Sequence, residues 1–388
     1  MKRLVSCLLI LGLLLLLCGC LQGVPLDRYC YVLDVGVERG ETMPYRFVFL
    51  LNDDTDGEAG EEQGGVSLIS AEERSLFAAV DALSGALPAQ LSFERTTLLA
   101  FSREIAEAGE MEAVMEGALS RLKIRQNVRV VVVEADMRAS LQGLVSPGDP
   151  GMDRLKANVK LLEENFGYVE DQGLADVREA FGNGTGDALL PYAALLGAPL
   201  RSDMAGGQAY PYLGGSLLGE GQLKTSLCGS AVFAGDRMVG LLSGQHTMLV
   251  LMANGGFRAG HVSLDWGEDT LAFALYAVGR PQRAWKAGTF FCTIALEADL
   301  EDPARVDVDS ETVIAALSRY LEEELDRVFR ATAAAGADVF SVGREAITAF
   351  SSWEEWRAYA FRDRLKAAEP VFTVRVKLSH SPRDPALE

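Results

Sequence analysis

"CGSAVFAGDRMVGLLSG", residues 228–244, decides how the chain is read. Two apolar, β-rich runs flank Gly235-Asp236, so the stretch is a hairpin turning at those residues. Phe233 and Val239 are expected to face each other across it and to be buried. Downstream, an apolar helix is expected to run to Asn254-Gly255-Gly256, a sequence suited to a left-handed C-cap. His246, beside a Ser-Gly-Gln turn, reads as a helix-start residue and not as a base. Three strands are predicted over about 259–300. Ser310 then caps a long helix whose Val313, Ile314, Leu317, Leu321, Leu325 and Val328 share one stripe. "PVFTVRVKL" (370–378) closes this unit as a strand.

Working back from the hairpin, the Gly- and Tyr-rich segment 199–225 is a linker. It separates an N-terminal region, 20–198, from a C-terminal domain, 226–381, with a polar tail at 382–388. The N-terminal region opens with "CYVLDVGVERGETMPYRFVFLL" (30–51), a second hairpin around Arg39-Gly40-Glu41. An acidic loop (52–65) follows, and Ser70–Glu73 reads as a capping box for a helix carrying Leu76, Phe77, Val80 and Leu83 on one face. "LSFERTTLLAF" (91–101) looks like one strand, and 110–122 has helical spacing. "VRVVVVEA" (128–135) is a buried strand by its uninterrupted β-branched run. Helical spacing returns at 155–166 and 174–181. Strands grouped between helices indicate an α+β fold of mixed sheets with packed helices. The first region leaves room for two subdomains.

The first 19 residues read as a cleaved lipoprotein signal peptide. Lys2 and Arg3 precede an apolar core, Leu4–Leu17, that is shorter than the roughly 20 residues a spanning helix needs. Leu17-Cys18-Gly19-Cys20 resembles a bacterial lipobox, which makes Cys20 the expected lipidated N-terminus. The alternative is an exported protein with two incidental cysteines. Acyl chains contribute about 0.8 kcal/mol per buried CH2, enough for two or three chains to anchor a protein. Of the six cysteines (7, 18, 20, 30, 228 and 292), three remain free after processing, too few for a disulfide scaffold. Cys228 and Cys292 could bridge or stay as two buried thiols.

The 388 residues carry 55 acidic and 36 basic side chains, a net charge of -19, and 49% are apolar. That is a globular composition without the basic face of a nucleic-acid binder. Catalytic patterns fail one by one. "LKT" (223–225) lacks the glycines of a phosphate-binding loop, since Leu218 and Leu223 stand in their places. A calcium loop counted from Asp54 puts Ala59 at the obligatory glycine and Gly65 at the bidentate carboxylate. With three histidines (His246, His261, His380) and no HExxH, GxSxG or paired-Cys motif, zinc hydrolysis and triad chemistry lack parts. No catalytic, cofactor-binding or metal residue is assigned, and no cofactor is expected.

The whole pattern resembles the Ger(x)C family, the lipoprotein subunits of spore germinant receptors. Its C-terminal domain typically opens with a G-[ST]-A-V-F segment, a charged turn and a V-G-x-L strand, as in 228–244. "GADVFSVGREAITAFSSWEEWRAYAFRDRLKAAEPVFTVRVKL" (336–378) resembles its Asp, Gly-containing turn, Trp-bearing helix and closing strand. Upstream, 31–52, 91–109, 122–137 and 175–195 resemble its first hairpin, internal strand-helix units and the stretch before its linker. The resemblance implies an elongated, non-enzymatic body held by lipid on the outer face of the inner spore membrane. It implies A-type and B-type receptor subunits as partners, with roles in assembly or signalling. A solute-binding lipoprotein of an importer is the alternative function. It would need a ligand cleft between two similar lobes.

Overall fold

The computed structural model describes residues 29–53, 65–87, 89–134, 136–144, 154–196, 202–206, 225–267, 269–301 and 309–379. The signal segment, Cys20, most of 199–225, the calcium-like loop, His380 and the polar tail lie outside them. Strands β1 (Tyr29–Arg39), β2 (Tyr45–Asp53) and β3 (Gly65–Glu73) form an antiparallel meander. After helix α1 (Leu76–Ser84), the short β4 (Gln90–Ser92) and β5 (Leu98–Ser102) both run parallel to β1. Helices α2 (Arg103–Ala108) and α3 (Met111–Arg121) lead to β6 (Arg129–Val133). Helices α4 (Met137–Leu144), α5 (Arg154–Phe166) and α6 (Leu174–Asn183) lead to β7 (Leu189–Leu195), and β5, β6 and β7 are mutually parallel. Then β8 (Thr225–Ala234) and β9 (Arg237–Leu242) add antiparallel, giving the order β3-β2-β1-β5-β6-β7-β8-β9 with β4 also on β1.

Helices cover both faces of this sheet, which is why its central strands read as unbroken apolar runs. On one face, Phe49, Phe101 and Val132 pack with Leu76, Ile105, Met115 and Val177. On the other, Val48, Ala100 and Val131 meet Met137 and Leu141 of α4 and Val159 of α5. Because β8 pairs with β7 (Leu189 opposite Val232), the sheet takes strands from both sides of the Gly-rich segment.

Helix α7 (Gly244–Asn254) follows, with Ser243 capping its start and Gly255 in the left-handed region (φ 82°) ending it. Every residue from Thr247 to Ala253 is buried, so "MLVLMA" (248–253) is apolar all round because both sides of the helix are covered. It contacts β8 of the first sheet and β13 and α8 of the second body. That body comprises β10 (Ala259–Trp266), β11 (Asp269–Ala277), β12 (Gln282–Lys286), β13 (Thr289–Leu300) and helix α8 (Ser310–Ala334). It continues with α9 (Val342–Ala346), α10 (Trp353–Tyr359), α11 (Phe361–Lys366) and β14 (Glu369–Leu378), the last parallel to β13. Phe273, Phe290, Ile294 and Leu296 of the sheet pack on Leu317, Leu321, Leu325 and Phe329 of α8, and Phe290 stacks on Phe329 at 5.7 Å. Leu189, Val232 and Leu242 join the same cluster, so the two bodies share one core.

The α+β class and the mixed sheets agree with the sequence reading, and several local expectations are corrected. Residues 70–73 belong to β3; the cap of α1 is Ser75, whose Oγ accepts from Ala78 N–H, and Phe77 is exposed. Pairing with β2 overrides the local capping signal, and Glu72 instead accepts from the turn amides of Glu41 and Thr42 and from Arg46. The run 91–101 is two strands, 259–300 holds four, and the cap of α8 is Asp309, whose Oδ2 accepts from Thr312 N–H. Strand β7 was not legible because Pro191 interrupts its pattern; it sits where the β7–β8 register shifts, a place where a missing N–H is tolerated. Phe233 is fully buried, but Val239 is 37% exposed. The register shifts after Val232, so Phe233 faces Met238 and Val239 is the extra residue of a bulge.

The β7–β8 ladder has a measurable consequence. A specific protease site inserted within 207–224 should be cut to give two pieces that co-elute on size exclusion until denaturant is added. Spontaneous separation of a 226–380 fragment would show that the ladder contributes little to holding the bodies together.

Candidate functional site

A buried carboxylate lies where the two bodies meet. Asp187 stands just before β7, and its side chain is fully buried. Its Oδ1 accepts from Gly235 N–H, in the β8–β9 turn, at 2.8 Å, and its Oδ2 accepts from Asp338 N–H at 2.7 Å. Arg362 of α11 completes it as a fork, Nη2 to Oδ1 at 2.6 Å and Nη1 to Oδ2 at 2.9 Å. The same Nη1 also donates to the carbonyl of Gly336. Asp338 in turn accepts from Val342 and Gly343 N–H at 2.7 and 2.8 Å, closing the turn into α9. Burial pushes the Asp338 carboxyl up to about 7 against the pull of those two amides. Gly343 is required here, since a Cβ would lie 2.8 Å from Thr185 Cα. A bidentate guanidinium with two amides satisfies a carboxylate that water does not reach.

A second ionic cluster ties residues 202–206, inside the Gly-rich segment, to the same junction. Asp203 Oδ2 lies 2.7 Å from His246 Nδ1 and accepts from Ser243 N–H at 2.6 Å, while Met204 N–H donates to Leu241. His246 Nε2 reaches Glu324 of α8 at 3.3 Å. All three side chains are mostly buried. Burial alone would lower the imidazole pKa; its bonds to Asp203 and Glu324 outweigh that and bring it up to about 9. Asp203 is held below the usual carboxylate range, because the His246 contact outweighs its own desolvation. Imidazolium between two carboxylates is a latch, with both ring nitrogens engaged and none left to act as a base.

Cys20, the lipidation site expected from the sequence, lies outside the described residues. His246 does start a helix, as expected, but its two carboxylate partners were not foreseen. They come from 43 and 78 residues away in sequence. His261 is separate and half-exposed, beside Glu301. Cys292 is a buried free thiol pushed up to about 12 by desolvation, which removes nucleophilic character at neutral pH; the Cys228 side chain lies outside the described residues. No group of three or more His, Cys, Asp or Glu side chains among the described residues could hold a metal ion. Asp187, Asp338 and Arg362 were missed as a set. The available signal was an aspartate set against apolar runs, "DALLPYAAL" and "ADVF".

Both clusters are testable. Asp187→Ala leaves the buried Asp338 amide, the part-buried Gly235 amide and most of the Arg362 fork without this acceptor, and should cost about 2–4 kcal/mol of stability by chemical denaturation. A loss within the ±0.5 kcal/mol of ordinary surface changes would show the junction does not depend on it. His246 is protonated more readily in the folded chain than free, at about 9 against 6.5. Its stabilisation is therefore complete below about pH 6.5 and is lost as pH rises through about 9. Across that interval the wild type should lose stability relative to His246→Gln; parallel pH curves for the two would show that imidazolium is not the species held.

Comparison with known proteins places this chain in a family. Residues 23–195 match the family model described as spore germination protein N-terminal domain. Residues 228–381 match the one described as spore germination B3/GerAC like, C-terminal. No curated protein matches the chain. Among solved structures, the crystal structure of the GerBC protein shares the fold, with a TM-score of 0.52 at 8% identity over 89% of this chain and 97% of that one. The two family matches follow one another in order and together span most of the sequence. The chain therefore belongs to the GerAC-like family of spore germination proteins, the C subunits of germinant receptors.

Proposed function

We propose that this C subunit is lipid-anchored through Cys20 on the outer face of the inner spore membrane. There it serves assembly of the receptor with A-type and B-type subunits, or relay of the nutrient signal. The ordered pair of family matches over 23–195 and 228–381 carries this reading. Its action runs through contact surfaces and not through catalysis. A body whose two sheets share one core and a buried ionic junction is suited to hold neighbours at a fixed geometry. No helix among the described residues is long and apolar enough to cross a membrane. The short apolar segment ending at Cys20 supplies the attachment.

The test is Cys20→Ala in sporulating cells. A fatty-acid probe should label the wild type and not the variant. Spores carrying the variant should hold less of the A-type and B-type subunits in their inner membrane and germinate more slowly with nutrient. Equal labelling of both would move the anchor elsewhere, with Cys18 tested next. Normal partner levels together with normal germination in spores lacking the chain entirely would sink the receptor role.

A further inference from the structure

A cleft of about 660 Å3 opens along the same seam as the Asp187 junction. One wall comes from the loop after α5 and from α6, and carries Glu170, Gln172 and Glu179. The facing wall comes from the β11–β12 loop, β12 and α9, and carries Arg280, Arg283 and Arg344. The walls are of opposite sign, yet much of their charge is already engaged. Asp171 is held by Arg129 at 2.7 and 2.6 Å, and Asp187 by Arg362. Arg283 donates to Asn254 Oδ1 and to the carbonyls of Phe340 and Ser341, with Glu345 3.5 Å from its Nε.

What remains is a matched set. The side chains of Glu179 on one wall and of Arg280 and Arg344 on the other are exposed to the cleft and make no hydrogen bond or ion pair among the described residues. Glu170 is mostly buried and accepts one bond, from Gln172 Nε2 at 3.0 Å. Two buried atoms of the lining lack a hydrogen-bond partner, Gln172 Oε1 on the acidic wall and Arg283 Nε on the basic one. Burial, with Glu163 nearby, pushes Glu170 up to about 7 against the pull of the Gln172 bond and of Arg344 across the cleft; a further cation placed beside it would favour its charged form.

We propose that this cleft binds a small zwitterion, its cationic end against Glu170 and Glu179 and its anionic end against Arg280 and Arg344. A simple anion would satisfy the arginines but face the two glutamates. A simple cation would do the reverse. An apolar ligand would strip water from unpaired charges without replacing it. A molecule carrying both charges meets both walls, and its cationic N–H groups suit the unpartnered Gln172 oxygen. The volume is within the roughly 300–1,000 Å3 usual for small-molecule sites. Because each wall belongs to a different body, an occupant would bridge the seam. The proposal stands on the cleft alone and does not depend on the receptor role.

The experiment is thermal unfolding of the full chain in detergent with a ladder of zwitterions of increasing charge separation: glycine, β-alanine, γ-aminobutyrate and ε-aminocaproate. Butylamine and butyrate at equal ionic strength are the single-charge controls. At least one zwitterion should raise the unfolding midpoint in a saturable way, since a ligand bound only by the folded state stabilises it. Neither control should match it, and the best chain length reports the distance between the walls. Glu179→Gln and Arg344→Gln, both exposed, should unfold like the wild type without ligand and each weaken binding roughly tenfold or more. No shift with any zwitterion, an equal shift with butyrate or butylamine, or unchanged binding by both variants would overturn the proposal.

Discussion

The carboxylate of Asp187 receives four hydrogen-bond donors from three separate parts of the chain: the β8–β9 turn, the turn after α8, and α11. None of these parts adjoins it in sequence. A fully buried carboxylate without such donors would cost several kcal/mol, so the four donors must be in place together. That requirement fixes where the end of the first sheet sits against the α8–α9 turn. It also sets the position of α11, which carries the chain into β14.

Apolar packing alone would leave the relative placement of the two bodies less defined. Helix α7 is buried on all sides and contacts both bodies, so it supplies area but little direction. Direction comes from polar groups with fixed geometry. The Arg362 fork fixes the junction on one side, and His246, between Asp203 and Glu324, fixes it on another. Buried ion pairs of this kind are weak net stabilisers against an apolar alternative, and strongly destabilising when one partner is removed. Here they link groups from separate parts of the chain across the seam between the two sheets.

The His246 latch also changes the meaning of the Gly-rich segment. Residues 202–206 are held by Asp203 and by the Met204 amide, and Met204 packs against Gly240, where a Cβ would come within 2.8 Å of its sulfur. The connection between the two family-matched regions is therefore attached to the body near its start.

Much of this fold was legible in the sequence. The hairpins at 30–51 and 229–243, the buried strand of β6, the α8 stripe and the Gly255 cap follow from period and turn chemistry, which act between neighbours. The family resemblance was legible for the same reason, since it consists of ordered local motifs. Local signals failed where a distant partner outweighed them. Ser70–Glu73 joined β3 because β2 offered a ladder, Pro191 entered a strand at a register shift, and Val239 left the core because a bulge moved Phe233 opposite Met238. The ionic junction and the opposed walls of the cleft were not legible at all. Asp187 and Arg362 are 175 residues apart, and His246 and Glu324 are 78. A charged residue's sequence neighbours say whether it can be solvated, but only the folded chain decides which opposite charge it meets once water is excluded.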